Sequence, residues 1–121
     1  MNKFVLALTV ASSILLSGCA QRVADFTLAS TKNVELNNGN FVSGERVVGE
    51  DTKAIFIFPL GIPSVKEASD KAIESDKCAV ALSDVTADFE FFSFFVGYQK
   101  YIIEGDLVID KSKKGCENWP N

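Results

Sequence analysis

Residues 84–91 read DVTADFEF, and their apolar and polar side chains alternate at every second position. Residues 101–109, YIIEGDLVI, repeat the alternation after a reversal that we place at Gly97. Successive side chains of a strand point to opposite faces of a sheet, so each run predicts a strand with one buried face. The sequence therefore predicts a long carboxy-terminal β-hairpin, with bulges expected at Gly105 and, further upstream, at Gly44.

A short amphipathic helix is predicted over residues 64–75. Ser64 and Glu67 have the spacing of a capping box, in which each side chain bonds to the other residue's amide. The apolar residues that follow fall along one stripe, formed by Val65, Ala68, Ala72 and Ile73. With a strand over residues 78–82, the elements predict an α+β fold: a small, mostly antiparallel sheet with the helix on one face.

Two further strand regions are predicted upstream of the helix. Residues 37–39, NNG, separate the β-prone runs 31–36 and 40–48, which is a strong signal for a hairpin with a type I′ turn. A second turn is expected at residues 49–51, GED. Residues 53–58, KAIFIF, predict a strand covered on at least one face, and the prolines after it should end the ladder.

The amino terminus has the features of a signal peptide. Lys3 supplies a positive charge, and residues 4–16, FVLALTVASSILL, form an apolar run too short to cross a bilayer as a helix. At its end, Leu16-Ser17-Gly18-Cys19 resembles the lipobox of bacterial lipoproteins. The resemblance implies cleavage between Gly18 and Cys19 and acylation of the Cys19 thiol. An ordinary secretory signal and an uncleaved membrane helix are the alternatives.

The lipobox resemblance divides the chain into three parts. Residues 1–18 would be a lipoprotein signal peptide, 19–30 a lipid-anchored tether in which residues 25–28 could add a short edge strand, and 31–121 a single domain. In the family, Asp at the position after the lipidated Cys retains many proteins in the inner membrane. Because Ala20 stands there, the resemblance implies attachment to the outer membrane, facing the periplasm.

The remaining cysteines, Cys78 and Cys116, form a natural pair in an oxidising compartment, where a disulfide is the expected state. Closing that loop would stabilise the domain by about 4 kcal/mol in the chain-entropy model. Two free buried thiols or a metal pair are the alternatives.

Charge and composition exclude several functional classes. The net charge is −4, and loss of Lys3 with the signal would make it −5, so an acidic chain without a basic stripe argues against nucleic acid. There is no histidine, which removes the commonest general base. The carboxylate pairs Asp84 with Asp88 and Glu50 with Asp51 are weak candidates for acid–base work. We predict no enzyme activity and no cofactor or metal.

Aromatic residues are concentrated in the hairpin, where five of the ten phenylalanines lie between positions 89 and 95. Only half of a strand's side chains can face one core, so some must cover a second face or be exposed. An exposed group could meet the membrane, an envelope protein or a second copy of the chain, and the negative charge favours a protein. The candidate interface comprises Phe91, Phe92, Phe94, Phe95 and Tyr98.

Residues 57–63, 64–75 and 101–107 look like parts of small uncharacterised lipoproteins of Gram-negative bacteria, and loosely like the TRL-like lipoproteins. The resemblance carries no catalytic residue. We expect a non-enzymatic outer-membrane lipoprotein that binds or supports an envelope partner through its aromatic hairpin. The alternatives are an immunity or exclusion lipoprotein that blocks an envelope receptor or toxin, and a small apolar-ligand module lined by residues such as Phe56, Phe58 and Phe91.

Overall fold

Two helices and five strands form an α+β fold over residues 2–15, 19–37 and 39–120, which the computed structural model describes. The predicted lipobox residues Leu16, Ser17 and Gly18, and the predicted turn residue Asn38, lie outside the described residues. Along the chain the elements are α1 (Asn2–Leu15), β1 (Cys19–Ala29), β2 (Phe41–Phe56), β3 (Phe58–Pro59), α2 (Val65–Ile73), β4 (Ala79–Ser93) and β5 (Val96–Asp110).

The strands form one antiparallel sheet in the order β1-β4-β5-β2-β3. The predicted hairpin of β4 and β5 is confirmed, and its register runs from Ala79 opposite Ile109 to Ser93 opposite Gly97. The chain reverses at Phe94 and Phe95, so Gly97 follows the turn instead of forming it. A Cβ at Gly97 would lie 2.0 Å from the Phe92 carbonyl oxygen, and this close approach accounts for the glycine.

The core lies between α2 and one face of the sheet. On β5 the alternation predicted from sequence is confirmed. Ile103, Gly105, Leu107 and Ile109 are buried, and the residues between them are only partly buried. The buried partners from α2 and β4 are Ala68, Ala72, Ile73, Leu82, Val85 and Ala87. The opposite face of the sheet is open, and it carries charged residues such as Arg46, Glu104 and Asp106, which form ion pairs there.

The amino terminus of α2 is held by one predicted contact and one unpredicted contact. The Ser64 hydroxyl oxygen accepts a hydrogen bond from the Glu67 amide at 3.4 Å, as the capping box predicts. The Ser64 amide, however, donates to Asp51 Oδ2 at 2.7 Å instead of to Glu67. A strand residue therefore performs the second half of the cap, and it ties the start of the helix directly to β2.

The hairpin predicted around residues 37–39 is wrong, because residues 31–36 form no strand. The partner of β2 is β5, in a register that runs from Phe41 opposite Asp110 to Phe56 opposite Val96. Since β1 pairs with β4, the connection from β1 to β2 must cross the end of the sheet. Residues 31–36 therefore belong to this crossing connection and do not run alongside β2.

The turn predicted at residues 49–51 is also wrong, because these residues continue β2 beneath the helix. A Cβ at Gly49 would lie 2.0 Å from the Ala68 carbonyl oxygen and 2.6 Å from the Ala72 amide nitrogen. The glycine thus allows the backbones of β2 and α2 to meet closely. Glycine is common in turns, but at this position its lack of a side chain allows β2 and α2 to pack together.

The predicted tether is an edge strand for most of its length. Cys19–Ala29 pairs antiparallel with β4, with an irregularity between Arg22 and Ala24. The free edge of β4 accounts for this difference, since an unpaired row of backbone donors and acceptors favours the addition of another strand. The ordered sheet therefore extends further along the chain than residues 25–28.

The bulge predicted at Gly44 is confirmed by the register shift between Ser43 and Arg46. The bulge predicted at Gly105 is wrong, because the extra residue lies opposite it in β4, between Ser83 and Thr86. Asp84, in that bulge, has a φ of 50°. Gly105 instead allows close packing, since a Cβ there would lie 3.1 Å from the Ser83 carbonyl oxygen.

The disulfide between Cys78 and Cys116 is confirmed, with Cα atoms 5.7 Å apart. It joins the residue before β4 to the tail that follows β5. Beside it, Asp76 accepts hydrogen bonds from Trp119 Nε1 at 2.9 Å and from the Cys78 amide at 2.8 Å. These two bonds lower the pKa of Asp76. We call residues 76–79 and 110–119 the disulfide end of the sheet.

Candidate functional site

The candidate interface residues differ in their exposure. Phe94 and Phe95 form the turn between β4 and β5, are 65% and 69% exposed, and pack edge to face with centroids 4.8 Å apart. Phe91 is 40% exposed. Phe92 and Tyr98 are half-buried and stack with centroids 6.3 Å apart. Exposure therefore concentrates at the turn itself.

A second apolar loop lies beside this turn, and sequence patterns did not predict it. β2 folds back into β3 at Ile57, whose φ is 65°. The Ile57 amide donates to the Phe95 carbonyl oxygen at 2.8 Å, which joins the two loops. The predicted strand over residues 53–58 is therefore interrupted, and its aromatic end is open. The exposed apolar residues of this loop are Phe56, Ile57, Phe58, Leu60 and Ile62, with Ile62 at 85%.

Cys19 belongs to the same end of the sheet. It is the first residue of β1, has an exposed free thiol, and lies opposite Phe91 in the register. Phe91 in turn lies opposite Gln99 of β5, which lies opposite Lys53 of β2. We call Cys19 and residues 54–63 and 91–99 the apolar end.

The apolar end carries no charge, because none of its residues is Asp, Glu, Lys or Arg. Charged residues begin at its border and are paired there. Arg22 bonds to Asp88 across β1 and β4, while Lys100 Nζ lies 3.7 Å from a Glu90 carboxylate oxygen and 3.8 Å from one of Glu50. A band of ion pairs on the open face therefore separates the apolar end from the rest of the sheet.

Tyr98 spans that border. Its ring packs on Phe92, and its hydroxyl group donates to a Glu90 carboxylate oxygen at 2.8 Å, which raises the pKa of Tyr98. Its ring also lies under Lys100 Nζ, 5.5 Å from the centroid. The tyrosine thus presents an apolar body to one side and a polar group to the other, as aromatic residues do at membrane–water interfaces.

Several backbone polar groups of the apolar end are satisfied within the protein. The Leu60 amide donates to the Ala54 carbonyl oxygen at 3.0 Å. The Gln99 side-chain amide donates to the Gly61 carbonyl oxygen at 2.8 Å. Together with the bond from Ile57 to Phe95, these contacts tie the loop to β2 and to the hairpin of β4 and β5. Polar groups that already have partners cost less to remove from water.

The carboxylate pairs considered for chemistry are not brought together. Asp88 bonds to Arg22, and Asp84 lies 3.7 Å from Arg46. Glu50 faces Lys100, whereas Asp51 is 2% exposed and bonds to Lys53 Nζ at 3.0 Å. Among the described residues, no group of three or more Cys, Asp or Glu side chains could hold a metal ion.

Asp51 is a buried acid that the sequence patterns assigned to a turn. Its hydrogen bond from the Ser64 amide, followed by that from Lys53, lowers the pKa of its carboxyl group. It remains ionised and holds α2 against β2. Its role is structural, and its position between Glu50 and Thr52 gave no distinctive signal in the sequence.

The predicted ligand-lining residues do not enclose a cavity between helix and sheet. Phe56 and Phe58 are 56% and 62% exposed at the apolar end. The groove between α2 and β1 is open, has a volume of about 430 Å³, and is lined mainly by Phe26, Leu28, Val65, Lys66 and Ile103.

Comparison of the chain with protein-family models, with curated proteins and with solved structures gave no match. No helix among the described residues is long and apolar enough to cross a membrane.

Proposed function

We propose that this protein is a non-enzymatic lipoprotein, held by acyl chains on Cys19 at the periplasm-facing surface of the outer membrane. The observation that carries the proposal is the placement of Cys19. Its thiol is exposed and free, and it stands at the start of the first strand of the sheet. An enzyme that acylates this thiol could reach it, and the acyl chains would leave the domain at its apolar end.

The segment before Cys19 also supports the proposal. α1 exposes apolar side chains along its described length, including Phe4, Leu6 and Leu8. A helix that is apolar on all sides is stable in lipid and unfavourable in water. Such a segment fits a signal peptide that enters the membrane and is cleaved from the mature chain.

Anchoring gives this small domain a role without catalysis. Two or three acyl chains hold a protein stably at a membrane, since each buried CH₂ contributes about 0.8 kcal/mol. Confinement to the surface raises the effective concentration of the domain for a membrane-bound partner. The proposed activity is therefore contact with, or support of, another envelope component.

The test is metabolic labelling with an alkyne fatty acid, followed by separation of inner and outer membranes. We expect wild-type protein to carry the label and to fractionate with the outer membrane. Cys19→Ala should lose the label, remain a precursor and yield no lipid-anchored domain. If Cys19→Ala still reached the outer membrane at normal yield, the anchor would be wrong.

A matched control is Ala20→Asp, which keeps Cys19 and changes only the next residue. This variant should keep the label and shift to the inner-membrane fraction, because Asp after the lipidated Cys retains many lipoproteins there. An Ala20→Asp protein without label would mean that a change beside Cys19 blocks acylation even when the thiol is present. An unchanged location would contradict outer-membrane sorting by this position.

A further inference from the structure

We propose that the apolar end inserts into the lipid bilayer that anchors Cys19, so that Phe94, Phe95 and the loop of Phe58 contact acyl chains. This inference rests on the proposed function, since it takes the acyl chains on Cys19 as given. It assigns the aromatic hairpin to lipid, whereas the sequence alone favoured an envelope protein. The domain would then stand on the membrane with its disulfide end directed away.

The first argument is the register of the sheet. Cys19 lies opposite Phe91, and Phe94 follows three residues later, directly after β4 ends. At about 3.3 Å per residue, the turn lies roughly 10 Å beyond the row of Cys19. Peripheral apolar segments enter the headgroup and acyl boundary by about 5–10 Å. An anchor at the level of the headgroups would therefore place the turn among the acyl chains.

The second argument is the distribution of charge. The net charge of the chain is negative, and this alone would oppose approach to anionic lipids. The apolar end, however, contains no charged residue, and the nearest ones are neutralised in pairs such as Arg22 with Asp88 and Lys100 with Glu90. The global charge therefore does not describe the surface that would meet lipid. Insertion buries no ion.

The third argument is the backbone. An open loop is unfavourable in hydrocarbon because unpaired amides and carbonyls lose water without replacement. Here the Ile57 amide bonds to Phe95, the Leu60 amide to Ala54, and the Gly61 carbonyl oxygen to Gln99. These three polar backbone groups of the loop therefore have protein partners. The large side chains that the loop exposes, Phe56, Ile57, Phe58, Leu60 and Ile62, are apolar.

A bilayer fits these features better than a protein partner does. A bound protein would have to cover Phe94 and Phe95 at the point where the acyl chains of Cys19 leave the domain. The bilayer is already present there and needs no complementary surface. A second copy of the chain and an envelope protein are the competing occupants, and the experiment below separates them from lipid.

The experiment measures fluorescence quenching by lipids brominated in their acyl chains. The chain has a single tryptophan, Trp119, which lies at the disulfide end beside Asp76. Trp119→Phe removes that signal, and Phe95→Trp or Phe58→Trp then places a single probe at the apolar end. Each lipidated protein is purified from membranes and reconstituted into phosphatidylcholine vesicles with and without bromine.

The matched control is Leu36→Trp in the same Trp119→Phe background. Leu36 is 66% exposed, a fraction similar to the 69% of Phe95. It lies, however, at the opposite end of the sheet, in the segment that crosses the disulfide end. We expect brominated lipid to reduce emission about twofold or more for the probes at positions 95 and 58, since both would lie at acyl depth. Emission from position 36, and from Trp119 in the wild type, should change little.

Equal quenching at positions 95, 58 and 36 would overturn the inference, as would no quenching at any of them. The inference would also be overturned if brominated lipid failed to quench the probes at positions 95 and 58 while a photoreactive residue at position 94 crosslinked to a second copy or to another protein in native membranes. Mass spectrometry of Cys19 in the same samples separates the two proposals. A lipidated protein with unquenched probes contradicts the insertion alone, whereas an unlipidated one contradicts the proposed function.

Discussion

The two ends of the sheet are built from the same strands, but one end covers its apolar side chains within the protein and the other exposes them. The disulfide end joins Cys78 to Cys116, seats Trp119 on Asp76, and carries charged residues such as Lys77, Lys111 and Lys113. The apolar end has no charged residue and leaves its phenylalanines exposed. One end is closed within the protein, and the other is suited to an apolar environment outside it.

This contrast shows where the stability of the domain lies. Covalent closure and buried hydrogen bonds act at the disulfide end and under α2, where the core residues Ile73, Leu107 and Ile109 are buried. The exposed residues of the apolar end contribute little to that core. A small domain can therefore expose an apolar surface without losing its fold, provided that its stability comes from elsewhere.

Loss of the disulfide should have the largest effect on stability. The double variant Cys78→Ala, Cys116→Ala should lower the free energy of unfolding by about 4 kcal/mol, because the unfolded chain regains the entropy of an open loop. Chemical denaturation at neutral pH measures the change. Adding reductant to wild-type protein should have a similar effect, and equal melting with and without reductant would show that the bond contributes nothing.

Asp51→Asn should cost less, about 2 kcal/mol near neutral pH, because an amide cannot accept from both Ser64 and Lys53 as the carboxylate does. The pKa of Asp51 is lowered from 3.8 in the folded state, so its contribution is complete above that value and is lost as pH falls through the folded pKa. Urea unfolding at about pH 7 and about pH 3 should show the two proteins converging in acid.

The control for this variant is Glu50→Gln, one residue earlier in β2. Glu50 is exposed on the open face, and its carboxylate lies 3.8 Å from Lys100. Exposed pairs contribute about 0–1 kcal/mol, so this change should be small at any pH. If both variants lost the same stability, the buried bond from Ser64 to Asp51 would not hold the helix.

Substitutions at Phe94 and Phe95, in the turn between β4 and β5, should have the smallest effect on stability. Phe94→Ser with Phe95→Ser should change the free energy of unfolding of the domain by about 0.5 kcal/mol or less, because exposed side chains leave no cavity. Leu107→Ala on the same hairpin should cost about 3 kcal/mol, since Leu107 is fully buried. Thermal melting of both variants tests the contrast. A large loss of stability in the Phe94→Ser, Phe95→Ser variant would mean that these phenylalanines belong to the core.

The sequence by itself determined the features that depend on neighbours along the chain. Alternation over residues 84–91 and 101–109 predicted β4 and β5, the Ser64 cap predicted the start of α2, and the cysteine count predicted the pair Cys78 and Cys116. These signals are local, or they follow from composition. They hold because a strand or a helix cap uses residues only a few positions apart.

Tertiary structure alone decided which strands pair and what meets at each end. Placing β4 and β5 between β1 and β2 made residues 31–36 a crossing connection instead of the predicted strand, and α2 made Gly49 and Asp51 packing residues. It also brought Cys19 into the row of Phe91 and joined two apolar loops into one surface. Pairing between distant segments is a competition among whole ladders, and no local window of sequence contains its result.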